Sequence, residues 1–372
     1  MNLSDIPDLR LDNQHIRDPL PGNPKDAVRW LCAVQAQDYA DAKWSLGLRL
    51  QNSSDADIDQ ALAEGSILRT HLLRPTWHFI TPEDIRWLLM LTGPPVHAVN
   101  ASIYRKLELD STEFENCHKL LVNALQGGRH LTRDELRDVL QKAGIAVQHG
   151  QRMAYIMMHA ELEALVCSGG RRDRQFTYAL LDERAPNTRT RLRDEALNEL
   201  SRRYFTSRGP ATVHDFSKWS GLTLGDARNG LESVKANLHQ EQVNGRICWF
   251  SEPTLAAAEN TPSAYLLSGY DEYISSYRDH SPIAAPEVGT RMAAMGNTLQ
   301  TIIVVNSQIE GSWRRKSKKS VVVIELNLFS GLSESDNQAI VEAVLRYGAF
   351  IGIPVEMTWG KILRGANACQ HH

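Results

Sequence analysis

The most regular hydrophobic pattern in the chain runs from Thr206 to Phe250, where helical spacing gives way to strict alternation. Thr212 is placed to cap a helix that carries Phe216 and Trp219 one turn apart, and Ser220-Gly221 ends it. Residues 224–237 form a second helix with Leu224, Ala227 and Leu231 on its inward face. Residues 238–243 and 246–250 then alternate about Asn244-Gly245, a dipeptide suited to a two-residue type I′ hairpin because both positions need positive φ. Two helices followed by a hairpin read as a winged helix, which points to DNA as a partner.

The same order recurs twice upstream. Leu131-Thr-Arg-Asp-Glu135 opens a helix over 131–142, Gly144 breaks it, 151–166 carries an apolar-striped helix, and Gly169-Gly170 turns a hairpin ending in 175–181. Before that, 24–34, 42–50 and 55–64 are helical in pattern, with Asp55 near a cap, and 67–80 divides into two strands. From Ser263 the character changes: apolar, β-branched stretches at 265–267, 301–305 and 321–326 precede an amphipathic helix over 333–350. The pattern predicts an α+β fold of three tandem winged-helix units followed by a C-terminal β-barrel-like domain with one covering helix. The expected divisions are 1–125 for the first unit and its helical extension, 126–186 for the second, 187–255 for the third and 256–372 for the barrel, with a Pro- and Ala-rich linker at 252–262.

Composition narrows the partners. The chain has 372 residues, 42% of them hydrophobic, enough to bury several cores. Its five cysteines are widely spaced, without a C-x-x-C pair, so no metal and no cofactor are expected. No apolar run is long enough to span a membrane and the N-terminus carries acid, which predicts a cytoplasmic monomer without a membrane partner. A net charge of −3 means that phosphate must be met by local basic patches. Candidates for DNA contact are Arg171, Arg172 and Arg174 in the second wing and Arg314, Arg315, Lys316, Lys318 and Lys319 in the run after Trp313, between two apolar strands. A solvated turn would show the same run. Seven arginines between Arg184 and Arg208 add a further basic stretch.

The chemistry is less explicit. The chain has no P-loop, no H-E-x-x-H, no G-x-S-x-G, no G-x-G-x-x-G and no cysteine-histidine deaminase signature. What remains is Gln35-Ala-Gln-Asp-Tyr39 after an apolar helix, where Gln35 and Gln37, two apart in an extended segment, can present two amides to one volume. Asp38 is the rival as a carboxylate base, but it points the other way and suits a helix cap. Trp77 and His78 read as a buried ring and a hydrogen-bonded histidine of a strand. Tyr273, Tyr277, Arg278 and Asp279 fit either an internal network or a channel lining.

The stretches Val34-Gln-Ala-Gln-Asp-Tyr-Ala-Asp-Ala-Lys-Trp-Ser-Leu-Gly-Leu48, Arg69-Thr70, Arg74-Pro-Thr-Trp-His-Phe79, Ser207-Arg-Gly-Pro-Ala-Thr212, Trp219-Ser-Gly-Leu222, Tyr270-Asp-Glu-Tyr273, Tyr277-Arg-Asp279 and Gly311-Ser-Trp-Arg-Arg315 resemble the AlkZ-like family of winged-helix DNA glycosylases. The resemblance covers nearly the whole chain. It implies three tandem winged helices and a β-barrel around a DNA-binding concavity, and excision of N7-alkylated purines from double-stranded DNA, with interstrand crosslinks unhooked by some members. The family's Gln-x-Gln motif falls on Gln35 and Gln37, which the resemblance makes catalytic. With no lyase lysine in evidence, a monofunctional enzyme is expected. The alternative is a non-catalytic tandem winged-helix regulator, although 224–235 mixes Arg228, Asn229 and Lys235 with Asp226 and Glu232, a poor base-reading surface.

Overall fold

Side-chain caps and hairpins punctuate the chain as its pattern predicts. The computed structural model describes residues 5–148, 150–186, 188, 190–251, 262–295 and 301–360, so most of the expected 252–262 linker lies outside the described residues. α1 (Asp5–Asn13) and α2 (Pro24–Leu31) lead into a two-residue strand, β1 (Val34–Gln35), and then α3 (Tyr39–Gly47), α4 (Asp55–Glu64), β2 (Leu68–Leu72) and β3 (Thr76–Ile80). α3 starts three residues before the expected 42 because the Asp38 carboxylate accepts the Asp41 N–H and fixes the first turn there. β3 pairs antiparallel with both β1 and β2.

The middle of the chain opens with α5 (Pro82–Lys106), which continues through Pro94 and Pro95, and α6 (Ser111–Leu125). β4 (Leu131–Thr132), α7 (Arg133–Lys142), α8 (Gly150–Leu162), β5 (Val166–Ser168), β6 (Thr177–Leu180) and the short α9 (Leu181–Arg184) follow. α8 ends before the expected 166, since Val166 to Ser168 pair with β6 instead. α10 (Arg193–Arg208), α11 (Val213–Ser220) and α12 (Leu224–Val234) then precede the hairpin β7 (His239–Val243) and β8 (Arg246–Phe250). Its turn has Asn244 at φ 49° and Gly245 at φ 74°, the two positive values a type I′ turn requires.

The C-terminal sheet departs from expectation. β9 (Ala264–Leu267) is followed by α13 (Glu272–Ser275), α14 (Pro286–Met295), β10 (Ile302–Val305), β11 (Gln308–Ser317), β12 (Val322–Leu328), α15 (Glu334–Ile351) and β13 (Val355–Trp359). The strand order is β13-β12-β11-β10-β9, with β9 and β13 unpaired with each other at opposite edges among the described residues, so the sheet is open and not a barrel. α15 returns the chain to lay β13 parallel beside β12, which extends the sheet away from β9 instead of closing it. The sheet's apolar face is covered by helices. Trp44 of α3 donates from Nε1 to Leu266 O at 2.6 Å and meets Tyr347 of α15 edge-on at 5.0 Å. Trp313 donates to Leu267 O at 2.8 Å.

Residues of α2, α3 and α4 therefore share one buried core with the C-terminal sheet and α15. A second core joins β2 and α5 to α10, α11 and α12, and a third joins α6, α7 and α8. Among the described residues no helix is long and apolar enough to cross a membrane.

Candidate active site

The segment from Gln35 to Asp38 is held through the peptides of Gln35 and Ala36. Gln35 lies opposite His78 across β1 and β3. Ala36 donates its N–H to Trp77 O at 2.7 Å and accepts two hydrogen bonds on its carbonyl from Arg69, from Nε at 3.1 Å and Nη2 at 3.0 Å. The Arg69 guanidinium is packed 4.0 Å from the centre of the Trp77 ring and 4.5 Å from that of Phe176. Burial pushes its pKa down to about 10, which leaves it charged at neutral pH.

The peptide N–H of Gln35 donates to Glu272 Oε1 at 2.9 Å, and Glu272 is itself surrounded by donors. Its Oε2 accepts from Arg208 Nη2 at 2.7 Å, Arg208 Nε at 3.2 Å, Trp219 Nε1 at 2.9 Å and Ser276 Oγ at 2.8 Å. Burial alone would raise this carboxyl's pKa. The Arg208 charge and hydrogen bonds, with the Gln35 N–H, outweigh burial and hold it at about 2. Arg208 also donates to Leu31 O and Ala33 O, the residues leading into β1, and to the hydroxyls of Ser207 and Ser276. One buried ion pair thus fixes the strand that carries Gln35.

The two amide side chains stand differently. Gln35 is buried, and its Oε1 accepts from Arg74 Nη2 at 3.2 Å. Gln37 is exposed, and its Oε1 accepts from the Trp77 backbone N–H at 3.4 Å. Both carbonyls therefore reach the segment that leads from the β2–β3 turn into β3. That turn holds Leu73 at φ 60°, against which the C-cap of α11, Gly221, is packed. His78 is fully buried beside them, with Nδ1 3.0 Å from Thr76 O; burial first, and Arg74 second, push its pKa down to about 3, so the ring is neutral. Trp77 is half-buried, 4.0 Å from the His71 ring, and His71 in turn contacts the buried Glu161.

The expected DNA-contacting residues separate into two groups. Arg315 faces inward: it pairs with Asp41 at 2.8 Å, lies 3.8 Å from Asp38 and donates to Tyr347 Oη at 3.3 Å, bracing the start of α3. Arg314 and Lys316 lie on strand β11 and are exposed, Lys316 paired with Glu325 at 2.9 Å. This corrects the expectation that the run lies between two strands: burial of Trp313 and the register Arg314↔Glu325 draw it into the ladder as far as Ser317. Only Lys318 and Lys319 fall past the strand end, both exposed. In the second unit Arg171 packs 4.9 Å from the Tyr39 ring and pairs with Asp59, Arg172 pairs with Glu135 at 2.7 Å, and Arg174 is exposed. The basic stretch before Gly209 is in part structural, since Arg203 pairs with Asp84 at 2.6 Å and Arg208 with Glu272. Tyr273 and Tyr277 are fully buried, which resolves their role in favour of an internal network.

Residues 28–350 match the family model described as DNA glycosylase AlkZ-like. The chain belongs to that family. Over 326 residues, 84% of this chain and 88% of the relative, it is 23% identical to a Streptomyces sahachiroi protein named interstrand DNA cross-link repair glycosylase. Its fold is similar to that of Streptomyces sahachiroi DNA glycosylase AlkZ, with a TM-score of 0.79 at 20% identity, covering 96% of this chain and all of that one. In this AlkZ-like chain the residues that motif reading passed over are Glu272, Arg208 and Arg74. All three lay in stretches that carry the family resemblance, yet none showed by spacing that it reaches β1.

Proposed function

We propose that the chain is a DNA glycosylase that hydrolyses the N-glycosidic bond of N7-alkylated purines in double-stranded DNA, with Gln35 and Gln37 as its catalytic residues. N7-alkylation makes the purine a cation and so a good leaving group, and the enzyme gains most by placing water and easing charge on the departing sugar. Gln37 suits the water: its side chain is exposed, and its carbonyl oxygen, engaged once by a long 3.4 Å hydrogen bond, keeps a second lone pair for a water hydrogen. Gln35 suits the sugar or phosphate. Its carbonyl accepts from the Arg74 guanidinium, which orients the amide, and its NH₂ group is the donor it offers. The observation that carries this reading is the rigid mounting of β1 by Glu272 and Arg208 beneath two neutral amides, one of them open to solvent.

The reading includes three helix-helix-hairpin units acting as winged helices on the duplex backbone, a single chain as the working unit, and an abasic site as the product. Arg314, Lys319 and Arg174 supply phosphate contacts, and Lys316, Lys318, Arg171 and Arg172 supply weaker ones, each being paired with a carboxylate. The Streptomyces sahachiroi relative is named for interstrand cross-link repair, and an N7-linked crosslink presents the same cationic purine twice. The deciding experiment is incubation with a duplex holding one N7-methylguanine, mild alkali to cut at any abasic site, and a gel, beside duplexes with uracil or an N7-linked crosslink. Release of N7-methylguanine but not uracil supports the reading. Tight selection of one undamaged sequence with no base release supports the regulator instead.

A further inference from the structure

Three histidines that the proposed reaction does not use meet on the far side of α8. His97 comes from α5, His118 from α6 and His159 from α8; Glu163, one residue past the end of α8, still donates its N–H to His159 O at 2.9 Å and so lies one turn on along the same face. Ligand atoms of His97, His159 and Glu163 all lie within 4.8 Å of one another. The His97 and His159 rings are 4.5 Å apart at their centres, and His118 borders the cluster with its ring centre 5.0 Å from that of His159.

The cluster is under-satisfied as a set of hydrogen-bonding groups. His97 Nε2, His118 Nε2 and His159 Nδ1 are all buried without a hydrogen-bond partner, although His97 Nε2 is only 3.1 Å from Glu163 Oε1. His97 Nε2 has the Glu163 carboxylate beside it, but His118 Nε2 and His159 Nδ1 have no partner, and two such buried nitrogens in one place are costly. The other nitrogen of His97 is already oriented, with Nδ1 3.0 Å from Tyr104 Oη, which turns Nε2 toward Glu163. His159 is fixed by stacking on Phe114 at 3.7 Å.

We propose that His97, His159 and Glu163, with His118 alongside, form a binding site for one divalent transition-metal cation of the zinc class, which ties α5 to the end of α8. Two or three imidazole nitrogens and one carboxylate are the donor set that such a cation takes and that magnesium or calcium does not. The site is structural. His159 and Glu163 flank Glu161, whose side chain points to the opposite face of α8 and contacts His71 under Trp77, so the cation would stiffen the helix that backs the β2–β3 hairpin.

The test uses the full chain, stripped with a chelator and titrated with zinc(II), cobalt(II) and magnesium(II). Calorimetry should show one zinc bound per chain, cobalt should give the visible absorption of a low-coordinate nitrogen-oxygen site, magnesium should not bind, and zinc should raise the melting temperature. His159→Asn and Glu163→Gln should each weaken zinc binding by at least about tenfold. Any zinc held at His371 and His372 is common to all three chains and cancels in the comparison. Glu163 is half-exposed, so Glu163→Gln folds even where His159→Asn does not. Zinc affinity equal in the wild type and Glu163→Gln, or no stoichiometric binding at all, overturns the proposal.

Discussion

Glu272 Oε1 accepts the peptide N–H of Gln35 at 2.9 Å, joining two residues 237 positions apart in the chain. The same carboxylate is the buried partner of Arg208, so the position of β1 depends on an ion pair contributed by α10 and α13. Glu272 is thus a positioning residue, acting on the reaction through Gln35.

Glu272→Leu alone should leave Arg208 buried and unpaired, at a cost of about 3–5 kcal/mol, and lower both the melting temperature and excision. Adding Arg208→Met removes the stranded charge, so the double variant should recover much of the stability. Excision should stay low, because the Gln35 N–H still lacks its acceptor. Recovery of full excision in the double variant would show that Glu272 matters only for folding.

The caps and hairpins were legible because each is decided within a few residues: Thr212 and Asp215 close a reciprocal box at α11, and Asn244-Gly245 turns β7 into β8. Gln35 and Gln37 stand out locally only as two amides two residues apart, and it is the family resemblance that makes them catalytic candidates. The mounting was not legible. Arg208 and Arg315 have the local context of basic surface, and only the packing of α10 on α2 and of β11 near α3 turns them inward onto Glu272 and Asp41. The openness of the C-terminal sheet was equally hidden, since alternation gives strands but not whether α15 returns the chain to the sheet's far edge. His97, His118 and His159 are spread over three helices, and their sequence spacing carries no metal signature.

Gly221 links stability to the site. It adopts φ 71°, and a Cβ there would stand 2.2 Å from Leu73 O, inside the turn that presents Arg74 to Gln35. Gly221→Ala should cost at least about 1 kcal/mol for the left-handed conformation, and more for the overlap with backbone. Single-turnover excision, measured well below the melting temperature, should also fall as the turn shifts. Wild-type excision in a destabilised Gly221→Ala protein would detach Arg74 from the mechanism.

Phosphate binding is expected from the outward residues of β11 and not from Arg315. Arg314→Ala with Lys316→Ala should weaken binding to any duplex and reduce the salt slope by up to about two units, one per lost contact. Arg315→Ala should leave the slope unchanged and slow excision, because Asp38 and Asp41 lose the cation that braces α3. A reduced slope with Arg315→Ala would place that side chain on DNA.

Acid should destabilise the fold beginning just below neutrality. His78 and His159 ordinarily titrate at 6.5 but are pushed down to about 3, so the folded chain binds fewer protons than the unfolded one across that window. Their contribution is complete above 6.5 and is lost as pH falls toward 3; that of Glu272, held at about 2 against an ordinary 4.5, is complete above 4.5 and lost below. Urea midpoints should therefore fall from about pH 7 to about pH 4, and His78→Asn should flatten that fall. Parallel profiles for the two proteins would remove His78 from the account.

Gln35 and Gln37 should separate by their effects on stability while converging on activity. Gln37 is exposed and makes one long hydrogen bond to Trp77, so Gln37→Ala should leave the melting temperature unchanged. Gln35 is 8% exposed and receives Arg74, so Gln35→Ala leaves a half-buried guanidinium without its acceptor and should lower stability modestly, by about 1 kcal/mol. Each should slow release of N7-methylguanine by at least about tenfold, a barrier increase of about 1.4 kcal/mol, at saturating protein in single-turnover conditions. Two amides that hold one water and one sugar act as a unit, so the double variant should lose little more than the worse single variant. Losses that simply multiply would mean that the two glutamines serve separate steps, and wild-type rates in all three proteins would remove the pair from the chemistry altogether.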